Sequence, residues 1–166
     1  MTVRIAAATD LPGLRPVIER AYRGDSARQG WTHEADLLSG ERIDDATLCA
    51  MVADPNQRLL IAEEGDVPLG CVSLAARGDG LVYLGLLCVD PMRQAAGLGK
   101  AIIAAAEEVA REELHADRIE MTVIDSRTEL IAYYERRGFL RTGERRPFPI
   151  VLDPPLGMVV LEKHLV

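Results

Sequence analysis

The segment Leu86-Leu87-Cys88-Val89-Asp90-Pro91-Met92-Arg93-Gln94-Ala95-Ala96-Gly97-Leu98-Gly99-Lys100 carries more information than any other in the chain. An apolar run stops at Asp90-Pro91, small residues follow, and a helical stripe begins at Leu98. A buried strand therefore feeds through a tight turn straight into a helix. The first N–H groups of such a helix lack intrahelical partners, and together with the helix dipole they form an anion site. Gly97 and Gly99 let the main chain approach a bulky pyrophosphate where a Cβ would intrude, and Lys100 adds charge. Two other phosphate loops fail. Walker A needs Gly at 94 and Ser or Thr at 101, where Gln94 and Ala101 stand, and the dinucleotide fingerprint fails at Ile102. A glycine-rich turn that merely fits a helix against a strand reads the same way, so this segment alone leaves both meanings open.

Downstream, Leu98, Ile102, Ala106 and Val109 stripe one helix, with Glu107, Glu108, Arg111 and Glu112 outside. Ile119, Met121 and Val123 alternate with Glu120 and Thr122 as a strand. Ser126-Arg127-Thr128-Glu129 fits the S-x-x-E capping box and predicts a helix ending at Gly138. A strand near 139–145, a loop over 147–157 and a strand at 158–163 follow. Upstream, Val3, Ile5 and Ala7 alternate as a short strand, and Asp10 offers an N-cap to a helix striped by Leu14, Val17, Ile18, Ala21 and Tyr22. Pro16 suits that helix only in its first turn. Residues 24–43 are polar and irregular. Asp44 or Asp45 caps a short helix with Leu48, Cys49 and Val52 inward, stopped by Asp54-Pro55. Strands at 58–63, 67–76 and 81–89, separated by Gly65-Asp66 and Gly78-Asp79-Gly80, read as an antiparallel meander. The order β-α-α-β-β-β-α-β-α-β-β describes an α/β fold, a mixed sheet of about seven strands with helices on both faces.

The 166 residues suit one domain, 1–166, and a chain of this length buries roughly two thirds of its unfolded surface without metals or disulfides. Cys49, Cys71 and Cys88 share no CxxC spacing and sit among apolar neighbours, so they read as reduced core thiols. A net charge of −7 argues against nucleic acid, whose binding needs clustered Lys and Arg. No apolar run approaches the ~20 residues that span a bilayer. With Met1-Thr2-Val3-Arg4 opening directly into a strand, a cytoplasmic location is expected.

Gln94-Ala95-Ala96-Gly97-Leu98-Gly99 matches [RQ]-x-x-G-x-[GA], Leu87-Cys88-Val89-Asp90-Pro91 matches L-x-V-x-P, and Tyr134-Glu135-Arg136-Arg137-Gly138-Phe139 matches Y-E-x-x-G-F. In these motifs, in this order, the chain resembles the GNAT superfamily of N-acetyltransferases. The element order extends the resemblance over essentially the whole chain, and the motifs cover 86–139. The resemblance implies acetyl-CoA as cosubstrate, no metal, and transfer of an acetyl group to a primary amine of a small molecule by direct attack on the thioester. It implies that main-chain groups of Leu87, Cys88 and Val89 pair with the pantetheine arm as if it were an added strand. The N–H groups of Gln94, Ala95, Ala96, Gly97, Leu98, Gly99 and Lys100 would hold the pyrophosphate. The strand ending at Val89 would splay from the strand at 118–124, leaving a slot for the thioester.

By the same resemblance Tyr134 hydrogen-bonds the leaving sulfur, since a phenol with pKa ~10 can stabilise a thiolate whose thiol has pKa ~8.5. Tyr133 competes for the role, but the spacing to Gly138 selects Tyr134. A tyrosine packed on the sheet, four residues on from Leu130, would give the same pattern. The N–H of Val89 is the expected oxyanion donor. Many family members carry Asn where this chain has Arg127, so that cofactor contact does not carry over. The general base is not legible. Residues 81–89 offer only Tyr83 as a polar side chain, and Glu120, Glu34, His33 or a water chain remain. His33-Glu34 begins like H-E-x-x-H, but Leu37 takes the second histidine position and excludes a zinc protease.

The family's acceptor pocket corresponds to residues 24–43 and 147–157. Trp31 could stack on an amine that pairs with Glu34, or could anchor a long loop to the core. Pro147-Phe148-Pro149 and Asp153-Pro154-Pro155 stiffen the second loop, which suits a closed pocket. Three classes follow: a small-molecule amine acetyltransferase, a protein N-terminal or lysine acetyltransferase, and a non-catalytic acyl-CoA-binding module. Retention of Tyr134 favours an enzyme. The expected partner is a small-molecule amine, with neither nucleic acid nor membrane, and a homodimer is left open.

Overall fold

In the computed structural model, which describes residues 1–22, 44–93, 97–148 and 155–165, β1 (Thr2–Ile5) leads through a single 3-10 turn, Ala8–Asp10, into α1 (Leu11–Tyr22). Then come α2 (Asp45–Ala53) and the meander β2 (Gln57–Glu64), β3 (Val67–Gly78) and β4 (Leu81–Val89). The glycine-rich turn precedes α3 (Leu98–Glu113), followed by β5 (Arg118–Ile124), α4 (Thr128–Arg136), β6 (Leu140–Pro147) and β7 (Gly157–His164). The order of elements is the one read from the sequence. Among the described residues seven strands join one mixed sheet, β1-β2-β3-β4-β5-β7-β6, in which β4 and β5 pair parallel and the other neighbours antiparallel.

Alternation assigns the two faces. Val82, Leu84, Ile119, Met121, Val159 and Leu161 pack with Ile102, Ile103, Ala106 and Ala110 of α3 and Ile131 and Tyr134 of α4. On the other face Leu59, Ile61, Cys71, Leu86 and Cys88 pack with Leu14, Val17 and Ile18 of α1 and Leu48 of α2. Helices α1 and α2 contact β2, β3 and β4. Among the described residues, β5, β6 and β7 contribute no side chain to the cluster on that face.

Several local expectations are corrected. Asp10 closes the 3-10 turn rather than capping α1, and its carboxylate accepts from the N–H of Ala7 at 2.7 Å and from Arg4. Ile5 is exposed, because β1 is an edge strand whose apolar contact comes through Val3 and Ala6. Pro16 lies inside α1, beyond its first turn. It deprives the carbonyl of Pro12 of a donor, but both prolines are exposed, so water can take that place. Cys49 is exposed too. Leu48 with Met51 and Val52 forms the inward stripe of α2, and a helix turns Cys49 out of that stripe. The core thiols are thus Cys71 and Cys88, whose sulfurs face each other at 3.6 Å.

The capping box does not form. Arg127 is the N-cap of α4, without a side-chain hydrogen bond, and its carbonyl takes the first helical N–H, from Ile131 at 3.0 Å. Ser126 therefore stands one residue too early to cap, and Glu129 one position short of reaching back.

Candidate active site

The site is built on the two edges of β4. Toward β3 the ladder runs from Leu81 to Val89. Toward β5 it covers only Leu81↔Arg118, Val82↔Ile119 and Tyr83↔Glu120, although both strands continue. Beyond Tyr83 the two strands have no ladder between them. Leu86 contributes to the parting: it adopts φ 48°, a left-handed conformation, within a bulge between the pairs Ser73↔Gly85 and Cys71↔Cys88. The extra residue reverses the alternation. Val82 and Leu84 face α3 and α4 before the bulge, and Leu87 and Val89 do so after it.

Val89 is aimed by the ladder. The N–H of Asp90 donates to the carbonyl of Leu69 at 2.7 Å, so the neighbouring pair Gly70↔Val89 is of the non-hydrogen-bonded kind. Its main-chain groups point to the β5 side, into the slot. Gly70 is required by close approach, because a Cβ there would lie 2.2 Å from the carbonyl oxygen of Cys88. Asp90 fixes the corner that follows. Its buried carboxylate accepts from Arg20 of α1 at 2.8 Å and from the N–H of Met92 at 3.1 Å.

Helix α3 starts at the mouth of the slot. Its N-cap, Gly97, has φ 76° and ψ 22°, which side chains rarely tolerate. The first helical bond runs from Ala101 N–H to Gly97 carbonyl at 3.0 Å. The N–H groups of Leu98, Gly99 and Lys100 thus lie in the first turn, outside the intrahelical ladder. The side chain of Lys100 is exposed. Nothing lies within 4 Å of a Cβ on Gly97, whereas one on Gly99 would meet the Tyr133 hydroxyl at 2.8 Å. Gln94, Ala95 and Ala96 lie outside the described residues.

Tyr134 belongs to the same cluster as Leu87 and Val89 and is 5 % exposed. Its ring meets Tyr133 and Phe139 edge-on, with centroids 5.5 and 6.2 Å apart. The ring is packed on the sheet, in the cluster that holds the end of β4.

The opposite face of the seam holds the polar groups. The hydroxyls of Tyr83 and Thr122 share a hydrogen bond of 2.7 Å across the parting strands. Glu120, buried at the last paired position, accepts from both terminal nitrogens of Arg146 at 3.2 and 3.1 Å. Arg146 also donates to Glu144 at 2.7 Å and holds that carboxyl below its usual range. Sequence reasoning reached Tyr83 and Glu120 but not Arg146 or Arg20, which no motif marks. Trp31, His33 and Glu34 lie outside the described residues, as do 149–154 of the second expected acceptor loop.

Residues 20–139 match the profile of the acetyltransferase (GNAT) family. The chain belongs to that family. A mycothiol acetyltransferase of Salinispora tropica is 44% identical over 62 residues, which are 37% of this chain and 20% of that protein. The GNAT chain therefore matches only a fifth of that relative's length. The same fold is found in yncA of Salmonella typhimurium, solved with its cofactor acetyl-CoA (19% identity, TM-score 0.75, covering 100% of this chain and 94% of that one). It is found also in the ribosomal-protein-S18-alanine N-acetyltransferase of Escherichia coli (16% identity, TM-score 0.76, covering 99% and 93%). Among the described residues no helix is long and apolar enough to cross a membrane.

Proposed function

We propose that this GNAT-family chain is an acetyl-CoA-dependent N-acetyltransferase that transfers the acetyl group to a primary amine of a small molecule by direct attack on the thioester. The observation that carries the reading is the parting of β4 from β5 after Tyr83↔Glu120, beside a helix N-terminus and a buried tyrosine. The slot suits an extended arm that pairs with Leu87, Cys88 and Val89 as an added strand would. The left-handed turn at Gly97 and the first N–H groups of α3 suit the diphosphate.

Acetyl-CoA supplies an activated thioester carbonyl. The N–H of Val89, aimed into the slot, donates to the carbonyl oxygen as charge gathers there. Tyr134 gives its proton to the sulfur as the C–S bond breaks. The amine gives one proton to water to become the free base, forms the C–N bond, and sheds a second proton that returns through water to Tyr134. Glu120 and Glu144 share the guanidinium of Arg146, and the net negative charge of that cluster attracts a cationic amine before it becomes the free base. Trp31 and Glu34 would complete the acceptor wall.

A second reading, acetylation of a protein N-terminus or lysine, is favoured by the like fold of ribosomal-protein-alanine N-acetyltransferases from Brucella melitensis and Escherichia coli. Thiol release from acetyl-CoA, measured against a panel of primary amines and of N-terminal peptides, separates the two. Release with small amines but not peptides is expected, with kcat/KM rising with pH as the amine, pKa ~10.4 for a lysine-like group, deprotonates. Turnover of peptides alone would sink the small-molecule reading. CoA binding without turnover of any acceptor would point to a binding module.

A further inference from the structure

Two adjacent tyrosines on α4 have different surroundings. Tyr134 is buried with Leu87 and Val89, whereas Tyr133 is half-buried and reaches α3. Its hydroxyl oxygen lies 2.8 Å, and its Cζ 3.7 Å, from the place of a Cβ on Gly99. In a helix the Cα–Cβ bond leans toward the N-terminus, and Gly99 is in the first turn of α3. The phenolic oxygen therefore lies against the first turn of α3, where a side chain on Gly99 would stand. Its ring is held from two sides, edge-on by Tyr134 at 5.5 Å and face-on by the guanidinium of Arg137 at 5.0 Å.

We propose that Tyr133 is a diphosphate-binding residue of this site. Its hydroxyl donates to an anionic oxygen held on the first turn of α3, and Arg137, stacked on the ring, fixes the ring's angle and adds positive charge. The proposal rests on the acetyl-CoA reading above. It also gives residue 99 its own reason to be glycine. Gly97 is demanded by its backbone angle; Gly99 leaves room for a phenol that occupies the volume where its side chain would stand. On this view the pair divides the labour: Tyr134 serves the sulfur, and Tyr133 serves the phosphates at the other end.

The test is calorimetric titration of the full chain with CoA, with thermal denaturation run in parallel on each variant. Tyr133→Phe is expected to weaken CoA about tenfold, the scale of a hydrogen bond to a charged group, and the loss falls on Kd and on the KM of acetyl-CoA rather than on kcat. With acetylpantetheine as donor, which has no diphosphate, Tyr133→Phe and the parent chain should react alike. Gly99→Ala should lower the Tm, and Tyr133→Phe in the same chain should restore it by removing the atom at 2.8 Å, with affinity staying at the level of Tyr133→Phe or below. Equal CoA affinity in the parent and in Tyr133→Phe overturns the proposal and leaves the acetyl-CoA reading standing. A tenfold loss that appears equally with acetylpantetheine overturns it as well. A folded parent chain that does not bind CoA removes both.

Discussion

The two edges of β4 make opposite use of the same strand. Toward β3 it is paired from end to end; toward β5 the pairing stops at Tyr83. The paired edge commits its N–H and C=O groups to the sheet and so contributes to stability. The parted edge turns the main chain of Val89 into a slot flanked by α3 and α4. Composition does not separate them, since both belong to Leu81–Val89. The lesson is that one strand can close a sheet on one edge and interrupt it on the other, and the proposed site draws on the interruption.

That contrast can be broken most decisively with glycine. Gly70→Val acts on the paired edge, where a Cβ would stand 2.2 Å from the Cys88 carbonyl oxygen. Strand separation is forced, and thermal denaturation should show a fall of roughly 10 °C or more. Gly97→Val acts at the mouth of the parted edge, where space is open and the cost is one left-handed residue, about 1–2 kcal/mol. It should stay folded, lose only about 3–6 °C, and bind CoA at least tenfold more weakly by calorimetry. A Gly70→Val chain as stable as Gly97→Val would erase the distinction between the edges.

Tyr134→Phe sharpens the parted side alone. It should lower kcat on a responsive amine by roughly tenfold, with the KM of acetyl-CoA little changed, as the proposed action of the phenol on the departing sulfur requires. An unaltered kcat would reduce Tyr134 to a packed core residue.

The smallest effect lies at the far rim of the paired half. Hydrogen bonds from Arg4, and then from the N–H of Ala7, lower the Asp10 pKa to about 2. Because the folded value lies below the unfolded one, the stabilisation is complete above about pH 4 and is lost as pH falls through 2. Asp10→Asn should therefore cost about one to two degrees at neutral pH, after allowance for solvent screening, and the difference should vanish near pH 2. CoA affinity at neutral pH should not move. If it did, the two halves would be coupled more tightly than the seam suggests.

Much of this could be read from the chain. The helix stripes and strand alternations are long enough to fix the order of elements, and Gly97 advertised a turn because its backbone angle admits little else. The bulge was hidden. Leu86 and Leu87 are both apolar, so a reversal of facing between them leaves no trace in the pattern. Cys49 was misplaced because α2, Asp-Ala-Thr-Leu-Cys-Ala-Met-Val-Ala, has little polarity with which to mark an outer face. The capping-box pattern sets the helix start one residue early, at Ser126, within the usual uncertainty of a helix boundary. The pairing of Arg146 with Glu120 was beyond reach, since it joins side chains 26 residues apart across the intervening β7. The acceptor readings for Trp31 and Glu34 fall outside the described residues.

Cys49 carries a practical consequence. Its sulfur stands on the outer side of α2, whereas Cys71 and Cys88 are sealed in the core. A chromogenic disulfide reagent used to follow CoA release will therefore consume one protein thiol per chain promptly, a constant offset that can be titrated beforehand and subtracted. The same sulfur is a ready attachment point for a single fluorophore. A dye there sits on the covering of the sheet face opposite α3, and its emission would reveal whether loading the slot is felt through the thickness of the sheet.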